Sequence, residues 1–124
     1  YATSPLLKAE RVSEAIKMLK EGGFDSVSSV VEDRGHYWIE KEDNYERLYP
    51  IVLKNRQFTK PLFKENGAVY ICKRSLLMEE NTLVGGKIGF LKMQKEESID
   101  IDEPFDFEIS EFLMRRRENE KNQN

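Results

Sequence analysis

The sequence is poor in the residues that build covalent or soft-metal sites, with one cysteine, one histidine and one tryptophan. A lone Cys72 cannot form a disulfide within the chain, and its apolar surroundings (residues 68–72) predict a buried, reduced thiol suited to the cytoplasm. Because His36 is the only imidazole, a zinc site of Cys and His ligands cannot be assembled, and any metal must be a hard cation held by oxygen. His36 also has no nucleophile beside it and is assigned no catalytic role. Long hydrophobic runs are missing. No stretch approaches the roughly 18 apolar residues of a membrane span, and residues 1–5 lack the basic-then-apolar order of a secretory leader. There is no dominant charge either: 20 basic and 23 acidic residues are mixed along the chain for a net −3, which leaves no basic stripe for a nucleic-acid backbone. The dinucleotide, Walker and hydrolase signatures are absent, and Gly85-Gly86-Lys87 precedes a strand, where a phosphate loop would follow one.

What is present is a 124-residue chain, 39% hydrophobic and 35% charged, the balance of one soluble folded domain. Apolar positions Val12, Ala15, Ile16, Met18 and Leu19 recur at helical spacing over residues 8–20, and Gly22-Gly23 supplies the stop. Residues 25–31 are small and β-branched and read as a strand. Residues 32–61 lose all periodicity while scattering Tyr37, Trp38, Tyr45 and Tyr49 among charges. They are expected to form an arm, with a hairpin, that buries its aromatics outside the local core. Asn66-Gly67 signals a turn before a strand at 68–72; a short helix at 75–80 and a strand at 87–93 follow. Residues 98–102 alternate strictly and are expected to be extended, leading into a helix over 103–116 capped by Asp102. The polar residues 118–124 read as a frayed tail. The order of elements predicts an α/β class.

The sharpest chemical feature is Ile99-Asp100-Ile101-Asp102, since residues two apart on an extended segment face the same way. Two readings stand. The carboxylates converge to hold Mg²⁺ against phosphate oxygens, or Asp102 is a helix cap and Asp100 a solvated residue. Arg56-Gln57 offers a planar fork for a carboxylate, or a surface arginine. Asn66 is a turn residue or a ligand contact, and Tyr70, on the face of Ala68 and Cys72, is core filler with a hydroxyl in need of a partner.

Taken in order, Thr3-Ser4-Pro5-Leu6, Arg56-Gln57, the run from Phe63 through Asn66-Gly67 to Ile71, and Ser98 through Asp102 with Asp106-Phe107 resemble the acylneuraminate cytidylyltransferase family. The resemblance covers the chain up to its tail and starts partway through the family pattern. It implies an incomplete catalytic domain (residues 1–117, with a dimerisation arm at about 32–61), lacking the half that cradles CTP. It also implies part of a Rossmann-like nucleotidyltransferase sheet flanked by helices, a homodimer in the cytoplasm, and transfer of CMP from CTP to a sialic-acid-like nonulosonic acid. By the same resemblance Asp100 and Asp102 hold a catalytic Mg²⁺, Arg56 with Gln57 binds the sugar acid, Tyr70 lines its pocket, and Asn66 contacts substrate. The departures are Tyr1-Ala2 where many members have Gln-Pro, Leu83-Val84 where some have an aromatic pair, and Ile39 near a pocket lysine. They leave the sugar acid open among sialic, legionaminic and pseudaminic types. A keto-deoxyoctulosonate cytidylyltransferase is the nearest chemical alternative, and a noncatalytic oligomerisation or binding module is the rival of another class.

Overall fold

The computed structural model describes residues 2–49 and 61–122. Helix α1 (Ala9–Glu21) comes first and ends where its glycines predict: the Gly22 N–H donates to Met18 O at 2.8 Å, and Gly23 takes φ +66°. Strand β1 (Ser26–Asp33) follows, then a hairpin of β2 (Trp38–Lys41) and β3 (Asn44–Arg47), long β4 (Leu62–Cys72), short α2 (Arg74–Glu80) and β5 (Ile88–Met93). A 3₁₀ turn (Lys95–Glu97) and helix α3 (Pro104–Asn122) complete the order.

The main sheet runs β4-β1-β5, with β1 antiparallel to β4 and parallel to β5. Its central strand is built for enclosure, since Ser26 through Val30 are all buried. On β5 the side chains alternate: Gly89, Leu91 and Met93 are buried while Ile88, Phe90 and Lys92 are exposed. Helix α1 covers the first set. Ala15 is fully enclosed with Val27, Ala68, Val69, Leu91 and Met93, and Met18, Leu19 and Phe24 pack around them. Of the expected apolar stripe of α1, Val12 and Ile16 remain more than a third exposed. On the opposite face Phe63 and Phe90 meet each other, 5.9 Å between ring centres, and Phe90 stays exposed. This is a mixed α/β architecture, a sheet flanked by helices, of the Rossmann-like kind expected.

Four local expectations are corrected. Asn66-Gly67 lies inside β4 and makes a bulge, not a hairpin turn, because β1 pairs on both sides of it. Residues 98–102 form no strand: the Ser98 N–H closes the preceding turn on Lys95 O at 3.1 Å, and among the described residues only Thr3 offers the segment a distant backbone partner, through Ile101 N to Thr3 O at 2.9 Å. The polar tail continues as helix to Asn122, supported by the ion pairs Glu111–Arg115 and Arg116–Glu120 one turn apart. Cys72 is free but only half-buried. The expected hairpin in the irregular stretch is β2–β3, which exposes Trp38 and Tyr45. Among the described residues no helix is long and apolar enough to cross a membrane.

Candidate functional site

The bulge in β4 organises the candidate site. Between the pairs Ser28–Tyr70 and Val30–Glu65, β1 has only Ser29, whereas β4 has Asn66, Gly67, Ala68 and Val69. Ser29 makes good the broken ladder with its side chain. Its Oγ accepts the Val69 N–H at 2.8 Å and donates to Asn66 Oδ1 at 2.6 Å. The same Oδ1 accepts the Ala68 N–H at 3.2 Å, so the looped-out backbone is hydrogen-bonded despite leaving the sheet register. At the apex Gly67 adopts φ +68°, and a Cβ there would sit 2.8 Å from Asp100 Oδ2. Glycine is therefore required twice, for the backbone angle and for the approach of a carboxylate.

That carboxylate comes from the segment after β5, which is fastened at several points. The Asn66 amide donates to Ser98 Oγ at 2.9 Å, and Ser98 Oγ donates to Gln94 O at 2.6 Å. Just before it, Glu97 is buried at 3% exposure and gripped by Arg11, whose Nη2 and Nε reach its Oε2 at 2.8 and 3.2 Å. This hydrogen bonding holds the Glu97 carboxyl below its ordinary value of 4.5, against the opposing effect of burial. Past Asp100, the Ile101–Thr3 bond fixes the other end.

Helix α3 is capped by a residue other than the one expected. Asp106 Oδ2 accepts the N–H groups of both Asp102 and Glu103 at 3.1 Å, the reaching-back half of a capping box. The Asp102 side chain is exposed, and no capping bond is formed by it among the described residues. The cap reading of Asp102 is thus replaced by one in which Asp106 does that work.

Together these elements line an open cleft of about 510 Å³ beyond the carboxyl ends of the parallel strands β1 and β5, where ligands of open α/β sheets bind. Its walls include Glu65, Asn66, Asp100, Asp102, Glu103 and Asp106, with Lys64 the only basic group lining it among the described residues. Asp100 Oδ1 is buried and, among the described residues, has no hydrogen-bond partner. An ionised oxygen in that position is costly unless a cation meets it. The donor set accordingly fits a hard divalent ion, and Mg²⁺ asks for only one or two protein carboxylates beside water and phosphate oxygens. No group of three acidic, His or Cys side chains converges as a ready-made cage among the described residues.

Of the residues singled out from sequence, Asn66, Asp100 and Asp102 come together here. Tyr70 is joined to them through Glu65, to whose Oε2 its hydroxyl donates at 2.8 Å; the residue is half-buried, not core filler. Arg56 and Gln57 lie outside the described residues, as does Tyr1, while Ile39 sits exposed on β2. Sequence reasoning missed Ser29, Glu65, Arg11 and Glu97. An acidic residue at the third position of the last helix was the available signal for Asp106. A larger groove of about 690 Å³ between α1 and α3 is walled by Arg11, Glu97, Arg116 and Glu120, and contains none of the described candidate residues.

No family model matches the sequence. The chain is 34% identical over 116 residues to N-acylneuraminate cytidylyltransferase A of Danio rerio, covering 89% of this chain and 27% of that protein. It is 35% identical over 116 residues to the N-acylneuraminate cytidylyltransferase of Oncorhynchus mykiss, covering 89% of this chain and 26% of the relative. To the CMP-N,N'-diacetyllegionaminic acid synthase of Legionella pneumophila it is 28% identical over 117 residues, 90% of this chain and 50% of the relative. The chain thus spans about a quarter of the length of the first two relatives and half of the third. With the ordered motifs from Thr3 to Asp106 and a mixed α/β sheet ending in an acidic cleft, the chain is similar over about nine tenths of its length to the acylneuraminate cytidylyltransferases, the family that its motifs resemble.

Proposed function

We propose that the protein carrying this chain transfers CMP from CTP to a sialic-acid-like nonulosonic acid and releases pyrophosphate, with the cleft at Asp100 and Asp102 facing the phosphates. The observation that carries this reading is the buried Asp100 Oδ1, which has no hydrogen-bond partner among the described residues and lines a cleft with Asp102. In the reaction the sugar's anomeric oxygen loses its proton and bonds to the α-phosphorus, while the bond from that phosphorus to pyrophosphate breaks. Such transfers depend mainly on positioning and on neutralising phosphate charge. Mg²⁺, when bound, supplies that neutralisation. Asp100 and Asp102 hold it, the first constrained by the bulge and the second exposed toward solvent at the head of α3. Arg56 with Gln57 orients the sugar carboxylate, arginine doing so with a fixed charge and a planar fork. Tyr70 and Glu65 border the sugar side. The exposed aromatics of β2 and β3 and of α3, Trp38, Tyr45, Phe105 and Phe112 among them, support burial against a second copy of the chain in a homodimer.

The test is pyrophosphate release by the intact protein with CTP and a panel of acceptors: N-acetylneuraminic, legionaminic and pseudaminic acids, and keto-deoxyoctulosonate. Release with at least one nonulosonic acid is expected. Release with keto-deoxyoctulosonate alone would move the acceptor class, and none with any acid would favour a noncatalytic module.

A further inference from the structure

We infer that Asn66 is a positioning residue: through the hydrogen-bonded chain Ser29–Asn66–Ser98, buried at Ser29 and Asn66 and half-buried at Ser98, it sets the place of Asp100 and Asp102 and does not itself touch substrate. This rests on the proposed reading of the cleft as a divalent-cation and phosphate site. Asn66 is 4% exposed, and its amide is fully committed. Oδ1 accepts from Ser29 Oγ and from Ala68 N, which uses both lone pairs. Nδ2 donates one hydrogen to Ser98 Oγ at 2.9 Å and directs the other to Met93 Sδ at 3.5 Å. No donor or acceptor is left to face a ligand.

What the amide does instead is join three parts of the chain that are distant in sequence: β1 at Ser29, the bulge of β4, and the segment after β5 at Ser98. Hydrogen bonds shielded from water are stronger and hold geometry more tightly than exposed ones. Ser98 lies two residues before Asp100, and beyond it the Ile101–Thr3 bond closes the span. Asp100 is therefore pinned from both sides, with one oxygen against Gly67 and the other buried without a partner among the described residues. Left to itself such a carboxylate would swing toward water, so the position has to be imposed. Groups that orient metal ligands in this way typically contribute about 10–100-fold in metal affinity.

Ser98→Ala is the informative variant, because Asn66→Ala would strand the Ser29 hydroxyl and the Ala68 N–H in the core and threaten the fold. Mn²⁺ serves as the probe, titrated into the intact protein while paramagnetic broadening of the Asp100 and Asp102 amide signals is followed. Amide exchange at Ile101 and a thermal melt are recorded without metal. Expected are broadening at both aspartates in the wild type, about tenfold weaker Mn²⁺ binding in Ser98→Ala with faster exchange at Ile101, a melting temperature close to wild type, and recovery in Ser98→Thr, which keeps the hydroxyl. Wild-type Mn²⁺ affinity in Ser98→Ala would overturn the positioning role. Absence of broadening in the wild type would overturn the cation site beneath it, and that outcome is visible before any variant is compared.

Discussion

Glu97 is nearly removed from water, yet it carries a charge that Arg11 holds with two hydrogen bonds to one oxygen and Lys8 approaches at 3.6 Å. Its role is to fasten the 3₁₀ turn ahead of Ser98 to helix α1. Because its folded-state pKa lies below the ordinary 4.5, the stability it contributes is fully present above that value and drains away as pH falls through the lower folded one. Glu97→Gln should therefore cost about 2 kcal/mol near neutral pH, the scale of hydrogen bonds to charged groups. The gap to wild type should close as pH drops below 4.5, read from urea unfolding at a series of pH values. A constant gap across that range would mean that packing, not the ion pair, is what Glu97 provides. Nothing in the local sequence Lys95-Glu96-Glu97 marks this glutamate among so many others, since its partner Arg11 lies in a helix at the far end of the chain. Asn66 is a similar case. Its pairing with glycine reads as a turn, and only Ser29, distant in sequence, converts that turn into a strand bulge.

At the level of elements, what could be read in advance was what local pattern dictates. Helix α1 and its glycine stop, the enclosed strand β1 and the strand at 87–93 follow from periodicity and were found within a few residues, whereas the strand expected at 68–72 is only the second half of β4, which starts at Leu62 ahead of the bulge. The segment 98–102 defeats the same logic. Its alternation of isoleucine and aspartate has the period of a strand, but a strand needs a neighbour with free backbone groups, and Thr3 supplies a single bond. The start of α3 was placed correctly and its cap was not. Asp106 receives both the Asp102 and Glu103 N–H groups, so Asp106→Ala should destabilise the chain by about 1 kcal/mol in denaturant unfolding, whereas Asp102→Asn should leave stability unchanged. Equal losses in the two variants would restore Asp102 as a cap and weaken its candidacy as a ligand.

Across the whole molecule, a three-stranded mixed sheet presents two aspartates in an acidic cleft at the carboxyl ends of its parallel strands, and in the proposed function this cleft handles the phosphates of CTP. The bulge, the Arg11–Glu97 clamp and the Asp106 cap all converge on the stretch from Ser98 to Glu103, which is a large structural investment in a segment that forms neither strand nor helix. The most direct measurement is pyrophosphate release from CTP by the intact protein as a function of Mg²⁺ concentration, for wild type, Asp100→Asn and Asp102→Asn, beside thermal melts of each. Asparagine keeps the shape of the side chain and loses the charge that holds a hard cation. Expected are acceptor-dependent release in the wild type, a loss of about 100-fold in both variants with melting temperatures little changed, and a shift toward higher Mg²⁺ demand. Near-normal release in both variants at the same Mg²⁺ concentration would contradict that role of the cleft.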